Sequence, residues 1–184
     1  CSEIGTDTQG RAYVDNFGSD IDSGNKLVKA KLAFVDTDGS VSVAAEDLAF
    51  PNGAVITPNG KTLIIGESFG RCLTAFDIAD DGGLSNRRVW ANLHPHIPDG
   101  ICLDAEGAIW LADPANHCVV RVAEGGDVLQ KIEISNGTFA CMLGGEERKT
   151  LFVCTAAGSG SKAEGKLTAK IEACEVSVPG VGCP

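Results

Sequence analysis

The sequence predicts an all-β chain folded as a β-propeller of about four blades, and three observations carry that prediction. Short runs rich in β-branched residues alternate with turns built on Gly, Asp and Asn. The runs group with a period of about 40–50 residues and up to four strands per group, which is the spacing of propeller blades. No helical stretch of convincing length interrupts them: Ala44–Leu48 is too short, and Ala163–Ala169 adjoins the Gly158-Ser159-Gly160-Ser161 loop. That loop contains a superficial Gly-x-Ser-x run, but a nucleophile elbow needs a strand–turn–helix setting.

Each unit can be justified in turn. The expected strands of the first are Arg11–Phe17, Lys31–Asp36 and Val41–Phe50; of the second, Gly53–Thr57, Lys61–Glu67, Leu73–Asp77 and Arg88–Asn92. The third holds Ile101–Asp104, Ala108–Asp113, Val119–Ala123 and Val128–Ile134, and the fourth Phe139–Leu143, Thr150–Thr155 and Ile171–Val178. Turn pairs punctuate them: Asp38-Gly39, Asn59-Gly60, Asp81-Gly82 and Gly125-Gly126. The first and last units lack a clear fourth strand, so open blade edges and self-association through them are expected. Trp90 and Trp110 fall in strand patterns and are assigned to the core, and Arg87-Arg88 to a solvated strand end. One propeller domain over residues 1–184, truncated at its N-terminal side, is the expected organisation.

The totals restrict the partners. The 184 residues are 43 % hydrophobic and carry a net charge of −10. An acidic surface repels phosphate, which argues against nucleic acid and anionic membrane as partners. No apolar run approaches the roughly 18 residues of a membrane span. The eight Cys include Cys102, Cys141 and Cys154 inside apolar strand patterns, where a thiol acts as a small hydrophobe. No Cys-x-x-Cys pair suggests a zinc ribbon. Mostly reduced thiols and a cytoplasmic setting are expected.

Three stretches, 2–14, 52–65 and 99–111, repeat the pattern strand, turn ending in Gly (Gly10, Gly60, Gly107), strand. The repeat places Ser2, Asn52 and Asp99 at one equivalent position, the start of the strand nearest the propeller axis. The following strand returns antiparallel, so Asn16, Glu67, Asp113 and Thr155 are expected at the same mouth. A ring of oxygen-bearing side chains suits a hard cation such as Ca²⁺. Singly, Pro51-Asn52-Gly53 and Pro98-Asp99-Gly100 are ordinary turn sequences; their matched positions are what point to ligation. His94 and His96 flank Pro95 without a third nitrogen or sulfur ligand, and a solvated loop is expected there.

At this point the sequence resembles the senescence marker protein/gluconolactonase/luciferin-regenerating enzyme group. The resemblance rests on Phe50-Pro51-Asn52-Gly53, Leu73-Thr74-Ala75-Phe76-Asp77, Leu84-Ser85-Asn86-Arg87-Arg88, the segment Pro98 to Gly107, and Cys141-Met142-Leu143-Gly144-Gly145. It implies a six-bladed family fold with one divalent cation at the channel mouth, Ca²⁺ first and Zn²⁺, Mn²⁺ or Mg²⁺ as alternatives. It further implies that Asn52 and Asp99 are metal ligands, that Asp99 is the catalytic acid/base, and that the substrate is a small-molecule lactone. Ser2, Glu3 and Asp20 are the substrate-binding residues the resemblance suggests, with Arg71 as a further contact; Ser2-Glu3 stands where the family usually has Asn-Asp. The family's N-terminal portion, with a Glu ligand and about two blades, has no counterpart here, and Val176–Gly180 is similar to a family ending. The expected function is therefore metal-dependent lactone hydrolysis, and the alternative is a catalytically silent propeller acting as a binding or oligomerising module.

Overall fold

The computed structural model describes residues 3–18 and 28–181. Two of the expected substrate residues, Ser2 and Asp20, lie outside them. Among the described residues the chain forms four antiparallel sheets, each laid down in sequence order. The first is β1 (Ile4–Thr6), β2 (Ala12–Val14), β3 (Ala30–Val35) and β4 (Val41–Leu48); the second is β5 (Pro51–Ile56), β6 (Thr62–Glu67), β7 (Cys72–Ile78) and β8 (Leu84–Asn92). The third is β9 (Ile101–Leu103), β10 (Ile109–Asp113), β11 (Cys118–Val122) and β12 (Val128–Glu133); the fourth is β13 (Gly137–Gly144), β14 (Thr150–Ala156) and β15 (Lys170–Glu175). Strands β1, β5, β9 and β13 neighbour one another in that order, so the sheets fan as propeller blades about a common centre.

The blades stick together because each strand sends alternate residues to opposite neighbours. In β10, Ile109 and Leu111 join the cluster packed against the second blade with Ile64, Leu73 and Trp90. Trp110 and Ala112 face the other way, onto Cys141, Leu151 and Val153 of the fourth blade. A third cluster, with Tyr13, Leu32, Leu63 and Ile65, joins the first blade to the second. This explains why the middle strands read as continuous apolar runs: every residue of β10 and β11 is buried. Each fully buried Leu or Ile contributes roughly 1.5–3 kcal/mol to holding two sheets together.

The repeated turn is a carboxylate turn. Asp7 Oδ1 accepts the backbone N–H groups of Gln9 and Arg11, and its other oxygen accepts Arg11 Nε at 2.7 Å. Asp104 repeats this in the third blade, accepting Glu106 N, Ala108 N and, from a neighbouring strand, Arg121 Nε. In the second blade Thr57 stands at this place, and its hydroxyl accepts Thr62 N.

One expectation needs correcting. The first blade has its four strands, because the three-residue β1 pairs with β2 in the register Ile4↔Val14. Ala44–Leu48 belongs to strand β4, within the expected strand Val41–Phe50. Among the described residues the fourth blade has three strands, and the chain after β15 crosses back to the third blade, where Val181 N donates to Leu103 O and Ala105 N to Pro179 O. Cys72, Cys102, Cys118, Cys141, Cys154 and Cys174 are free thiols. No helix among the described residues is long and apolar enough to cross a membrane.

Candidate metal and catalytic centre

The innermost strands run in the same direction, so their first residues and the turns after β2 and β6 share one mouth. Asn52 is the second residue of β5, and Asp99 sits two residues before β9. The two side chains meet: Asn52 Nδ2 donates to Asp99 Oδ1 at 2.6 Å. Residues 47 positions apart in the chain thus converge as the repeat predicted, and the amide is buried.

The backbone is shaped for this approach. A bulge between Asn52 and Ala54 leaves Gly53 without a ladder partner, in the left-handed region at φ 61°. A methyl group on Gly53 would lie 2.5 Å from Asp99 O and 2.9 Å from Ile101 N. Gly53→Ala should therefore push Asp99 away from Asn52 and destabilise the fold by about 2–4 kcal/mol, checked by urea unfolding. A cost below about 1 kcal/mol would mean that the two blades are not held this closely. From the other side, Ser68 Oγ donates to Pro98 O at 2.6 Å, and Ser68 N donates to Phe50 O at 2.9 Å, which ties the segment carrying Asp99 to the segment carrying Asn52. Asp99 N in turn donates to Ala112 O, and Gly100 N to Phe139 O.

Burial is the main force on the Asp99 carboxyl, which is pushed up from its ordinary value to about 7; the hydrogen bond from Asn52 opposes this and the negative charge of Glu3 adds to it. Glu3, half-buried at the same mouth, is itself raised by burial. A cavity of about 430 Å³ extends from this point between the inner strands, lined by Glu3, Gly100, Ile101, Cys102, Ala140 and Cys141 among others.

The expected second ring of oxygens does not form. Asn16 locks its own turn, with Nδ2 donating to Lys31 O and Oδ1 accepting Gly18 N. Glu67 is buried and accepts Thr74 Oγ1, Arg87 Nη2 and Ala49 N. Asp113 is fully buried and accepts Ala115 N and Asn116 N on one oxygen, Asn116 Nδ2 on the other. Thr155 donates to Glu172. All four are engaged by turns, strands and adjoining loops, and the buried Glu67 and Asp113 satisfy backbone donors that need partners. In the fourth blade the register pairs Thr138 with Thr155 as it pairs Asn52 with Gly66, but the Thr138 hydroxyl is turned inward between Asp113 N and Cys118 O.

The His94–His96 loop is also not as expected. His94 is exposed, whereas His96 is buried with Nδ1 2.7 Å from Asp113 Oδ2 and 4.0 Å from Cys118 Sγ. His96, Asp113 and Cys118 are the one group of three among the described residues with candidate ligand atoms all within 4.8 Å. Its nitrogen and sulfur donors differ from the oxygen set of a hard cation. Burial pushes the Cys118 thiol up to about 11, and both Asp113 oxygens are engaged. The group is built as a lock between the β8–β9 loop and the β10–β11 hairpin. Sequence reasoning missed Ser68 and His96; Ser68 carried a usable signal, since it follows Glu67 at the same mouth.

Comparison with known proteins bears on the fold and the family. Pentonolactonase XacC of Haloferax volcanii is 26 % identical over 169 residues, covering 90 % of this chain and 56 % of that protein. Regucalcin of Danio rerio is 28 % identical over 181 residues, covering 96 % of this chain and 60 % of that protein. The chain thus spans a little over half the length of these relatives. Among solved structures, a luciferin-regenerating enzyme superposes with a TM-score of 0.82 at 20 % identity, over 97 % of this chain and 62 % of that one. A calcium-binding regucalcin from Agrobacterium tumefaciens superposes with a TM-score of 0.77 at 19 % identity, over 97 % and 62 % of the two chains, so the propeller fold is shared. Residues 2–157 match the SMP-30/Gluconolactonase/LRE-like region, and the chain belongs to that family.

Proposed function

We propose that the mouth carrying Asn52 and Asp99 is a metal-dependent lactone-hydrolysing centre, with Asp99 as general base. The observation that carries this is the 2.6 Å meeting of an amide and a carboxylate from successive blades, with the carboxyl held near neutrality by burial. The names of relatives favour the same chemistry: pentonolactonase, and 6-deoxy-6-sulfogluconolactonase of Pseudomonas putida, 26 % identical over 161 residues.

The donor set fits a hard divalent cation, Ca²⁺ first, with Zn²⁺, Mn²⁺ or Mg²⁺ as alternatives. Asp99 supplies charge, and Asn52, with its amide turned so that Oδ1 faces the ion, supplies a neutral oxygen; two such ligands leave most of the six to eight Ca²⁺ positions to other oxygens. When bound, the cation supplies polarisation of the lactone carbonyl and a lowered pKa for water. Asp99 takes the proton from the attacking water and returns it to the alkoxide that leaves when the ring opens. Asn52 holds the carboxylate in place. Glu3, close enough to act on Asp99, and Arg71, on the turn after β6, would orient the substrate; Ser2 and Asp20, outside the described residues, are proposed as further substrate contacts.

The test is hydrolysis of gluconolactone and simple γ-lactones by the purified chain, after chelation and after return of Ca²⁺, Zn²⁺ or Mn²⁺. Ring opening that disappears with chelator and returns with one ion supports the assignment. A rate equal to the buffer blank under every condition would favour the silent module instead. That alternative has one observation of its own: β15 ends the fourth sheet and Ile171 on it is 74 % exposed, an edge another copy could pair with.

A further inference from the structure

Aromatic residues make up only 5 % of this chain, yet three of its seven Phe stand together at the mouth just described. Phe50 directly precedes Pro51-Asn52, Phe69 is on the turn after β6, and Phe17 is on the turn after β2. The Phe17 and Phe50 rings stack at 4.4 Å with 12° between their planes, and Phe69 leans on Phe50 at 4.5 Å and 58°. The middle ring is buried, whereas Phe17 is 39 % and Phe69 46 % exposed.

The cluster is held firmly. Phe50 adopts φ 62°, a left-handed conformation that a bulky residue rarely takes without compensation. The compensation is visible: Phe50 N donates to Leu48 O, Ser68 N to Phe50 O and Phe69 N to Ala49 O. The same Ser68 reaches Pro98 O beside Asp99, so the rings and the carboxylate share one scaffold. Rings serving packing alone would be covered, since burial is what makes an aromatic side chain stabilising. Two open rings beside a polar centre instead form a surface onto which an apolar group entering that centre can lie.

We propose that Phe17, Phe50 and Phe69 form an acceptor for the apolar substituent of the substrate, so that this mouth selects lactones carrying an alkyl or aryl group over unsubstituted or polyhydroxylated ones. This rests on the lactone assignment above. No atom of the rings takes part in the chemistry; their effect is on binding, and therefore on KM more than on kcat.

The experiment compares γ-butyrolactone, γ-decalactone and gluconolactone in the wild type, Phe69→Ala and Phe17→Ala, each first shown to unfold cooperatively. The expected wild-type order places γ-decalactone at least 10-fold above γ-butyrolactone in kcat/KM. Each substitution should lower that ratio about 3- to 10-fold, chiefly through the KM for γ-decalactone. A preference for gluconolactone, or a ratio that neither substitution moves, overturns the proposal. Calorimetric binding of γ-decalactone to Asp99→Asn protein separates the two ideas. Binding that weakens in Phe69→Ala/Asp99→Asn, with no turnover in the wild type, would leave the shelf standing and remove the hydrolase assignment. No binding, or binding indifferent to Phe69, would remove the shelf.

Discussion

Replacing Asp99 by Asn is expected to lower kcat/KM for any lactone this chain hydrolyses by about 10²–10⁴-fold, the range for removing a positioned general base. Asn is close in size and can keep a hydrogen bond to Asn52, so the loss reports the missing charge and proton acceptor rather than collapse of the mouth. The same substitution should also raise the stability of metal-free protein at alkaline pH. Burial lifts the Asp99 carboxyl from 3.8 to about 7, so the folded state binds this proton more tightly than the unfolded chain. Wild-type stability therefore falls as pH rises from about 4 to about 7, because holding the charged form buried is unfavourable, and the Asn variant lacks this term. Above pH 7 the difference should reach about 2–4 kcal/mol in favour of Asp99→Asn, fading toward pH 4. A bound divalent cation should reverse the sign by stabilising the carboxylate. Urea unfolding at pH 4.5 and pH 8, with chelator and with Ca²⁺, measures all of this; a variant difference independent of both pH and cation would count against Asp99 as a buried ligand.

The largest loss of stability is expected at Asp104. Its side chain is 1 % exposed and holds three donors: Glu106 N at 2.9 Å, Ala108 N at 3.0 Å and Arg121 Nε at 2.6 Å. Asp104→Ala orphans two backbone donors and leaves the buried Arg121 guanidinium with Glu106, whose side chain is 66 % exposed. Breaking a buried pair from one side costs about 3–5 kcal/mol, a large share of the 5–15 kcal/mol that holds an ordinary domain. The double variant Asp104→Ala/Arg121→Leu removes the stranded charge and should recover about 1–3 kcal/mol. If the double variant is no more stable than the single one, the cost lies in the turn and not in the ion pair.

Much of this was legible in the chain itself. Alternating runs and Gly turns specify strands because side chains repeat every second residue, and the equivalence of Asn52 and Asp99 followed from counting back from Gly60 and Gly107. Repetition is itself a geometric statement: equal segments placed about an axis bring equal positions to the same mouth. The assignment failed where direction, rather than position, mattered. Glu67, Asp113 and Thr155 reach the expected end of their strands but turn into their blades, since a strand-end residue can serve either the mouth or the buried backbone, and periodicity does not say which. Strand β1 was legible only through the repeat, as the strand before Gly10, because three residues with one buried position leave no pattern of their own to count. The buried His96 and the shared aromatic surface of Phe17, Phe50 and Phe69 join segments far apart in sequence, and no local rule relates them.

The sequence alone therefore determined the fold class, the blade repeat and the two side chains that meet at its mouth, all of which follow from local periodicity. Only the tertiary structure decided which polar groups remain for chemistry. That depends on which buried donors lack a backbone partner, and it depends on bulges such as the one at Gly53, where one extra residue redirects the side chains on either side.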